Sequence, residues 1–222
     1  MREEIVTEHC AADGRPLIVI TRNSYGALVL NTAEAMFIDI DCAEQKPVAA
    51  RGGGFWSGLF GKKTAPVPAT PPEPPELQRL RGWAQSHPDW SLRVYKTKAG
   101  LRVLVTHALI APESEAAQSA MRDLKADPLY VRLCRAQKCF RARLTPKPWR
   151  IDIHHRPPRY PYSDQDAGRS ARWKDEYDRK SEAFATCSLL AELGPRSIHP
   201  SLAAAVELHD TATKISSDLP LA

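Results

Sequence analysis

The chain has 222 residues, 43% of them hydrophobic and 26% charged, with a formal charge of +5 and a pI near 9.0. That length holds one sizeable core carrying a long insertion, the composition excludes a disordered or fibrous chain, and no apolar run approaches the roughly 18 residues of a membrane span. The basic excess favours polyanionic partners such as nucleic acid, nucleotides or an anionic surface.

Met1-Arg-Glu-Glu4 lacks the basic-then-apolar pattern of a signal sequence. Cys10, Cys42, Cys134, Cys139 and Cys187 are scattered, with no CxxC pair, which fits reduced thiols and offers no zinc-ligand spacing. A cytoplasmic location is the expectation.

In chain order, Pro16–Arg22 and Ala27–Leu30 are short apolar runs separated by the turn signal Asn23-Ser-Tyr-Gly26, so a hairpin is predicted. Met36–Ile40 is predicted as the next strand, ending in Phe37-Ile-Asp-Ile-Asp41. Side chains alternate on a strand, so Asp39 and Asp41 share a face at its C-terminal end, where two carboxylates can hold one or two divalent cations, Mg2+ or Mn2+.

Residues 44–76 change character. Arg51-Gly-Gly-Gly54 and the prolines from 66 to 75 cannot build core and mark a flexible insertion. Within it, Phe55, Trp56 and Phe60 with Lys62 and Lys63 form a candidate contact for a protein partner, a lipid surface or single-stranded bases, the alternative being that they fold back onto the domain. Leu77, Leu80, Trp83 and Ala84 then give a helical stripe, followed by a second hairpin over Ser91–Lys98 and Leu101–His107. Helices are predicted over Glu113–Lys125 and Leu129–Gln137, and a strand over Cys139–Thr145 with Phe140, Ala142 and Leu144 on one face and Arg141 and Arg143 on the other. Trp149–Ile153 reads as a further strand and Pro157–Asp166 as a loop. The tail reads as two helices, Ser170–Leu193 closed by Gly194-Pro195, and Pro200–Ala212, with His209-Asp210 at a cap or the surface.

The predicted class is therefore α+β, a mixed or antiparallel sheet with flanking helices and a C-terminal helical pair. Its divisions are residues 1–43 (first hairpin and Asp-x-Asp strand), 44–76 (insertion), 77–160 (the rest of the core) and 161–222 (helical tail).

From Arg132 to Arg159 nine arginines and lysines accompany one acid, Asp152. Guanidinium forks suit phosphate, which makes Arg141, Arg143, Lys147 and Arg150 candidates for nucleotide or nucleic-acid binding, with Trp149, Tyr160 and Tyr162 available for stacking. Asp152 is the type of third carboxylate that a strand-borne aspartate pair needs for a metal pair. No Gly-x-Ser-x-Gly elbow and no phosphate-cradling Gly-Lys-Ser/Thr loop occurs.

Phe37-Ile-Asp-Ile-Asp41, Thr97-Lys-Ala-Gly-Leu-Arg-Val-Leu-Val-Thr-His107 and Arg150-Ile-Asp-Ile153 resemble, in order and setting, the catalytic core of archaeo-eukaryotic primases and primase-polymerases. The resemblance spans roughly Leu17 to Ile153 and implies an RRM-like core. It also implies that Asp39, Asp41 and Asp152 bind two divalent ions, with Arg102 and nearby Lys98 meeting triphosphate oxygens. The family has histidine directly after the glycine-containing turn, where this chain has Arg102; His107 faces the other way by alternation. The leading expectation is a metal-dependent nucleotidyl-transfer domain acting on nucleic acid and nucleoside triphosphates, or a degenerate relative. The alternatives are a non-catalytic nucleic-acid-binding accessory protein and a sugar-nucleotide transferase using the same aspartates.

Overall fold

The computed structural model describes residues 3–10, 14–42 and 73–222. Most of the predicted insertion, with Phe55, Trp56 and Phe60, lies outside the described residues.

The class is α+β, built on two antiparallel sheets. The first orders β1 (Glu4–Cys10), β2 (Pro16–Arg22), β3 (Leu28–Thr32) and β7 (Phe140–Arg143) as β1-β2-β3-β7. The second orders β4 (Phe37–Asp41), β5 (Leu92–Thr97), β6 (Gly100–Val105) and β8 (Cys187–Leu193) as β4-β6-β5-β8. Five helices complete the fold: α1 (Pro75–Ser86), α2 (Glu115–Asp123), α3 (Pro128–Gln137), α4 (Asp164–Ser181) and α5 (Ala203–Thr213). Among the described residues no helix is long and apolar enough to cross a membrane.

Local chemistry explains most boundaries. Prolines at the first helical turn start α1 and α3, where the missing N–H has no intrahelical partner to lose. The Ser114 side chain accepts from Ala117 N to cap α2, Asp127 caps α3 through Leu129 N, and Ser163 caps α4 through Asp166 N. Gly100 sits opposite Asp41 because any Cβ there would lie 2.1 Å from the Ile40 carbonyl oxygen.

One hydrophobic cluster unites both sheets: Leu30 and Phe140 from the first, Ile38, Val94 and Leu104 from the second, with Leu80, Met121 and Val206 from α1, α2 and α5. At ~2–3 kcal/mol for each fully buried large apolar side chain, this shared core holds the sheets together. A smaller cluster seats Trp173 and Tyr177 of α4 against Ala27, Ile151 and Ile153.

The structure corrects the tail and the strand expected over residues 149–153. Helix α4 begins at Asp164, and residues 187–193 are not its continuation but strand β8, paired along β5. Residues 149–153 form no strand: Pro148–Arg150 is a 3₁₀ turn, and Asp152 follows with φ +57°. The second sheet follows a β-α-β-β succession from β4 to β6, but β8 lies outside β5, leaving β4 at the opposite edge. His209, expected at the surface, is fully buried against Phe37 and Tyr95.

Candidate anion-binding cleft between the sheets

Strands β3 and β7 of one sheet face β4 and β6 of the other across a cleft of about 390 Å³, closed at its ends by the 23–25 loop, α3 and the Lys147–Arg150 turn. The alternation read from the sequence places Asp39 and Asp41 on the cleft side of β4, and Arg141 and Arg143 on the cleft side of β7. Arg102, Lys147 and Arg150 line the same space. Lys98 does not: it is exposed in the β5–β6 turn.

The cations fall into two groups. Arg102, 2% exposed, is the direct cross-strand partner of Asp39 and grips it at both oxygens, Nε to Oδ1 at 2.8 Å and Nη2 to Oδ2 at 3.3 Å. Burial alone would lower its pKa, but the Asp39 carboxylate more than reverses this and leaves it raised. Its Nη1 donates to the Arg143 carbonyl at 2.8 Å, tying the second sheet to the first. Arg141 is likewise neutralised, donating to both Glu3 carboxylate oxygens at 2.6 and 2.8 Å.

Arg143, Lys147 and Arg150 form the other group, and none has a carboxylate in ion-pair contact among the described residues. Arg143 donates only to the Thr145 carbonyl at 2.9 Å, and the Lys147 ammonium lies 5.5 Å from the Trp149 ring centre. Burial lowers the pKa of Arg143, and the Arg102 and Arg150 charges lower it further. Lys147 is lowered by burial and then by Arg143 and Arg150, with Asp41 and Asp39 opposing. Three cations thus crowd one another in a half-buried recess, an arrangement that an anion relieves.

The expected three-carboxylate metal set is not assembled. Asp152 does not line the cleft; it is exposed, with its backbone turned to positive φ and its carbonyl accepting from Lys180 Nζ at 2.9 Å. Pro148 diverts the chain into a 3₁₀ turn where a strand would have carried Asp152 to the site. Among the described residues no group of three or more His, Cys, Asp or Glu side chains is placed to hold a metal ion. With Asp39 spent on Arg102 and Asp152 elsewhere, the residues present do not fit a two-metal centre. His107 lies outside the cleft against Trp90, its Nδ1 accepting from Ser91 N.

Residues without a sequence signal also contribute. Asn23, Ser24 and Tyr25 form one wall, though their tetrapeptide reads only as a turn. Asp127 N donates to the Asp39 carbonyl at 3.1 Å and Tyr130 Oη to the Phe37 carbonyl at 2.9 Å, so the N-terminal end of α3 covers the edge of β4.

No family model, curated protein or solved structure matches the chain. The site therefore rests on its own geometry: an α+β protein with a cationic cleft between two sheets.

Proposed function

We propose that the chain binds nucleic acid by its phosphates in the cleft between the sheets, without metal-dependent turnover. The observation that carries this reading is the cluster of Arg143, Lys147 and Arg150, none of them in ion-pair contact among the described residues, in a cleft where Asp39 and Glu3 are already held by Arg102 and Arg141 and Asp41 offsets part of the charge on Lys147. Three closely placed cations exceed what a single carboxylate ligand requires, and arginine forks match phosphate oxygens. A polymer is favoured over a lone nucleotide because Arg156 and Arg159 continue the positive surface beyond the cleft.

Fluorescence anisotropy with a labelled oligonucleotide over a range of salt concentrations tests the reading. Binding should weaken steeply with salt and be lost in Arg143→Ala/Lys147→Ala/Arg150→Ala. Unchanged affinity in that variant, or no binding by the wild type at low salt, rules the reading out.

Nucleotidyl transfer ranks second, favoured only by Asp39 and Asp41 sharing the cleft face. Primer extension from nucleoside triphosphates with Mn2+, abolished by Asp41→Asn, would reverse the order.

A further inference from the structure

A second cleft, of about 540 Å³, adjoins the first, and Asn23, Ser24 and Tyr25 line both. Its character is different. Tyr25, Trp149, Tyr160 and Tyr162 form its aromatic walls, Arg156 and Arg159 supply charge, and among the described residues no acidic one lines it. Trp149 is 49% exposed and Tyr160 39% exposed, large apolar surfaces when the other described tryptophans and tyrosines are buried more deeply.

These rings are held in place. Trp149 meets Tyr25 edge to face, centres 5.4 Å apart at 63°, and Tyr160 meets Tyr162 in the same manner at 5.5 Å and 82°. Tyr162 is itself fixed, its hydroxyl donating to Glu4 at 2.8 Å and its ring lying 4.8 Å from the Lys174 ammonium. Prolines at 146, 148, 157, 158 and 161 restrict φ through the segment that carries Trp149 and Tyr160. The exposed faces are therefore pre-positioned, which lowers the entropy lost when a planar ligand stacks on them.

Where the clefts join, Asn23 Oδ1 accepts from Tyr25 N at 3.2 Å and Ala27 N at 3.1 Å, which orients its amide and leaves Nδ2 as an open donor. Ser24 adds an exposed hydroxyl beside it. Polar edges thus stand between a phosphate-type recess and an aromatic one. In sequence the alternation is tighter still, since Trp149 stands between Lys147 and Arg150.

We infer that the ligand is single-stranded, its phosphates on Arg143, Lys147 and Arg150 and its bases stacked on Trp149 and Tyr160 in the adjoining cleft. This rests on the nucleic-acid reading above and narrows it. A duplex keeps its bases stacked on one another and offers no free face, whereas a single strand offers one from every base whatever its identity. The absence of acids from the aromatic cleft admits the polyanion, and the mixed cationic and aromatic lining matches backbone and base together.

The test is anisotropy with fluorescein-labelled oligothymidylate of about 16 nucleotides and, separately, a blunt duplex of the same length. The set comprises the wild type, Trp149→Ala, Tyr160→Ala, Trp149→Phe, Tyr160→Phe and Arg143→Ala/Arg150→Ala. The single strand should bind at least about tenfold more tightly than the duplex, and each aromatic-to-alanine change should weaken it about tenfold while the phenylalanine variants stay within about threefold. The salt slope should be unchanged in the aromatic variants, because stacking releases no counterions, and reduced in the arginine variant. Equal affinity for duplex, or unaltered single-strand binding by both alanine variants, overturns the inference. If binding is then still lost in the arginine variant, the phosphate reading stands without it; if the arginine variant also binds normally, both fall.

Discussion

Asp39 and Arg102 allow the structural role of the pair to be separated from a metal-binding role by the sign of a stability change. The Arg102 side chain is 3% exposed and that of Asp39 37% exposed. Removing Asp39 therefore strands a fully buried guanidinium next to Arg143, whereas removing Arg102 leaves a carboxylate that water can reach. An uncompensated buried charge costs about 3–5 kcal/mol, so Asp39→Ala should destabilise by that order and Arg102→Met by about 1–3 kcal/mol, chiefly from lost charge-assisted hydrogen bonds. The double variant Asp39→Ala/Arg102→Met should be more stable than Asp39→Ala alone, because it removes the stranded charge and leaves an apolar stem in its place. Urea unfolding followed by circular dichroism gives all three values. If Asp39 were instead a ligand awaiting a cation, Asp39→Ala would stabilise the metal-free chain by easing repulsion with Asp41; that result, or strictly additive single variants, would refute the reasoning.

Other consequences are accessible to the same preparations. Arg143→Ala and Arg150→Ala should each lower the slope of log affinity against log salt by about 0.7 for a single-stranded ligand, one phosphate contact apiece. His209 has its pKa lowered from 6.5, first by burial and then by the Arg102 charge, with Asp210 and Asp39 opposing. A histidine depressed in the folded state contributes stability that is complete above its unfolded value and is lost as pH falls through the folded one, so stability should decline on acidification below about 6.5, and less so in His209→Gln. Gly26, at φ +98°, would place a Cβ 2.0 Å from the Trp173 ring, so Gly26→Ala should cost about 1–3 kcal/mol in thermal unfolding and weaken ligand binding by shifting the 23–25 wall. Inorganic phosphate in excess should raise the unfolding midpoint of the wild type but not of Arg143→Ala/Arg150→Ala.

The elements that were legible in the sequence are those whose signal is local. Apolar runs and turn signals located β2 to β4, and period-two alternation located β5 to β7 and put Arg141 and Arg143 on the face opposite Phe140 and Ala142, as found. Strand β8 was hidden because Ser188-Leu-Leu-Ala-Glu-Leu193 is equally compatible with a helix; the free edge of β5 decides it, through a contact between residues about 95 apart in sequence. Strand β1 carries no apolar face, its residues being exposed almost throughout, so it offers no pattern to read. The sequence suggested Asp39 as a metal ligand and, by resemblance, Arg102 as a triphosphate contact, but not the two as partners. Their pairing depends on the register of β4 against β6, and a slip of one residue would turn them to opposite faces. Asp152 illustrates the opposite failure: Ile151 and Ile153 imitate a strand, while Pro148 and a positive φ make a turn whose isoleucines bury against α4.

The same pair is the reason the proposed function assigns this cleft to holding phosphate rather than to turnover. A phosphoryl-transfer centre needs its carboxylates free for cations and its arginines free for phosphate. Here Asp39 takes both hydrogen bonds that the Arg102 fork offers on that side, and Arg102 reaches on to the Arg143 carbonyl in the facing sheet. The chain from Asp39 through Arg102 to the β7 backbone spans the cleft floor and fixes the distance between its walls. It also fixes where the Arg143 side chain projects, since the braced carbonyl belongs to that residue. Under the proposed function, the carboxylate most suggestive of catalysis is part of a strut that positions Arg143, with Lys147 and Arg150 beside it, for a phosphate. Substituting Asp39 should consequently weaken binding through misplacement of Arg143 even though a negative charge has been removed from a site for anions, an outcome opposite to that expected from charge alone.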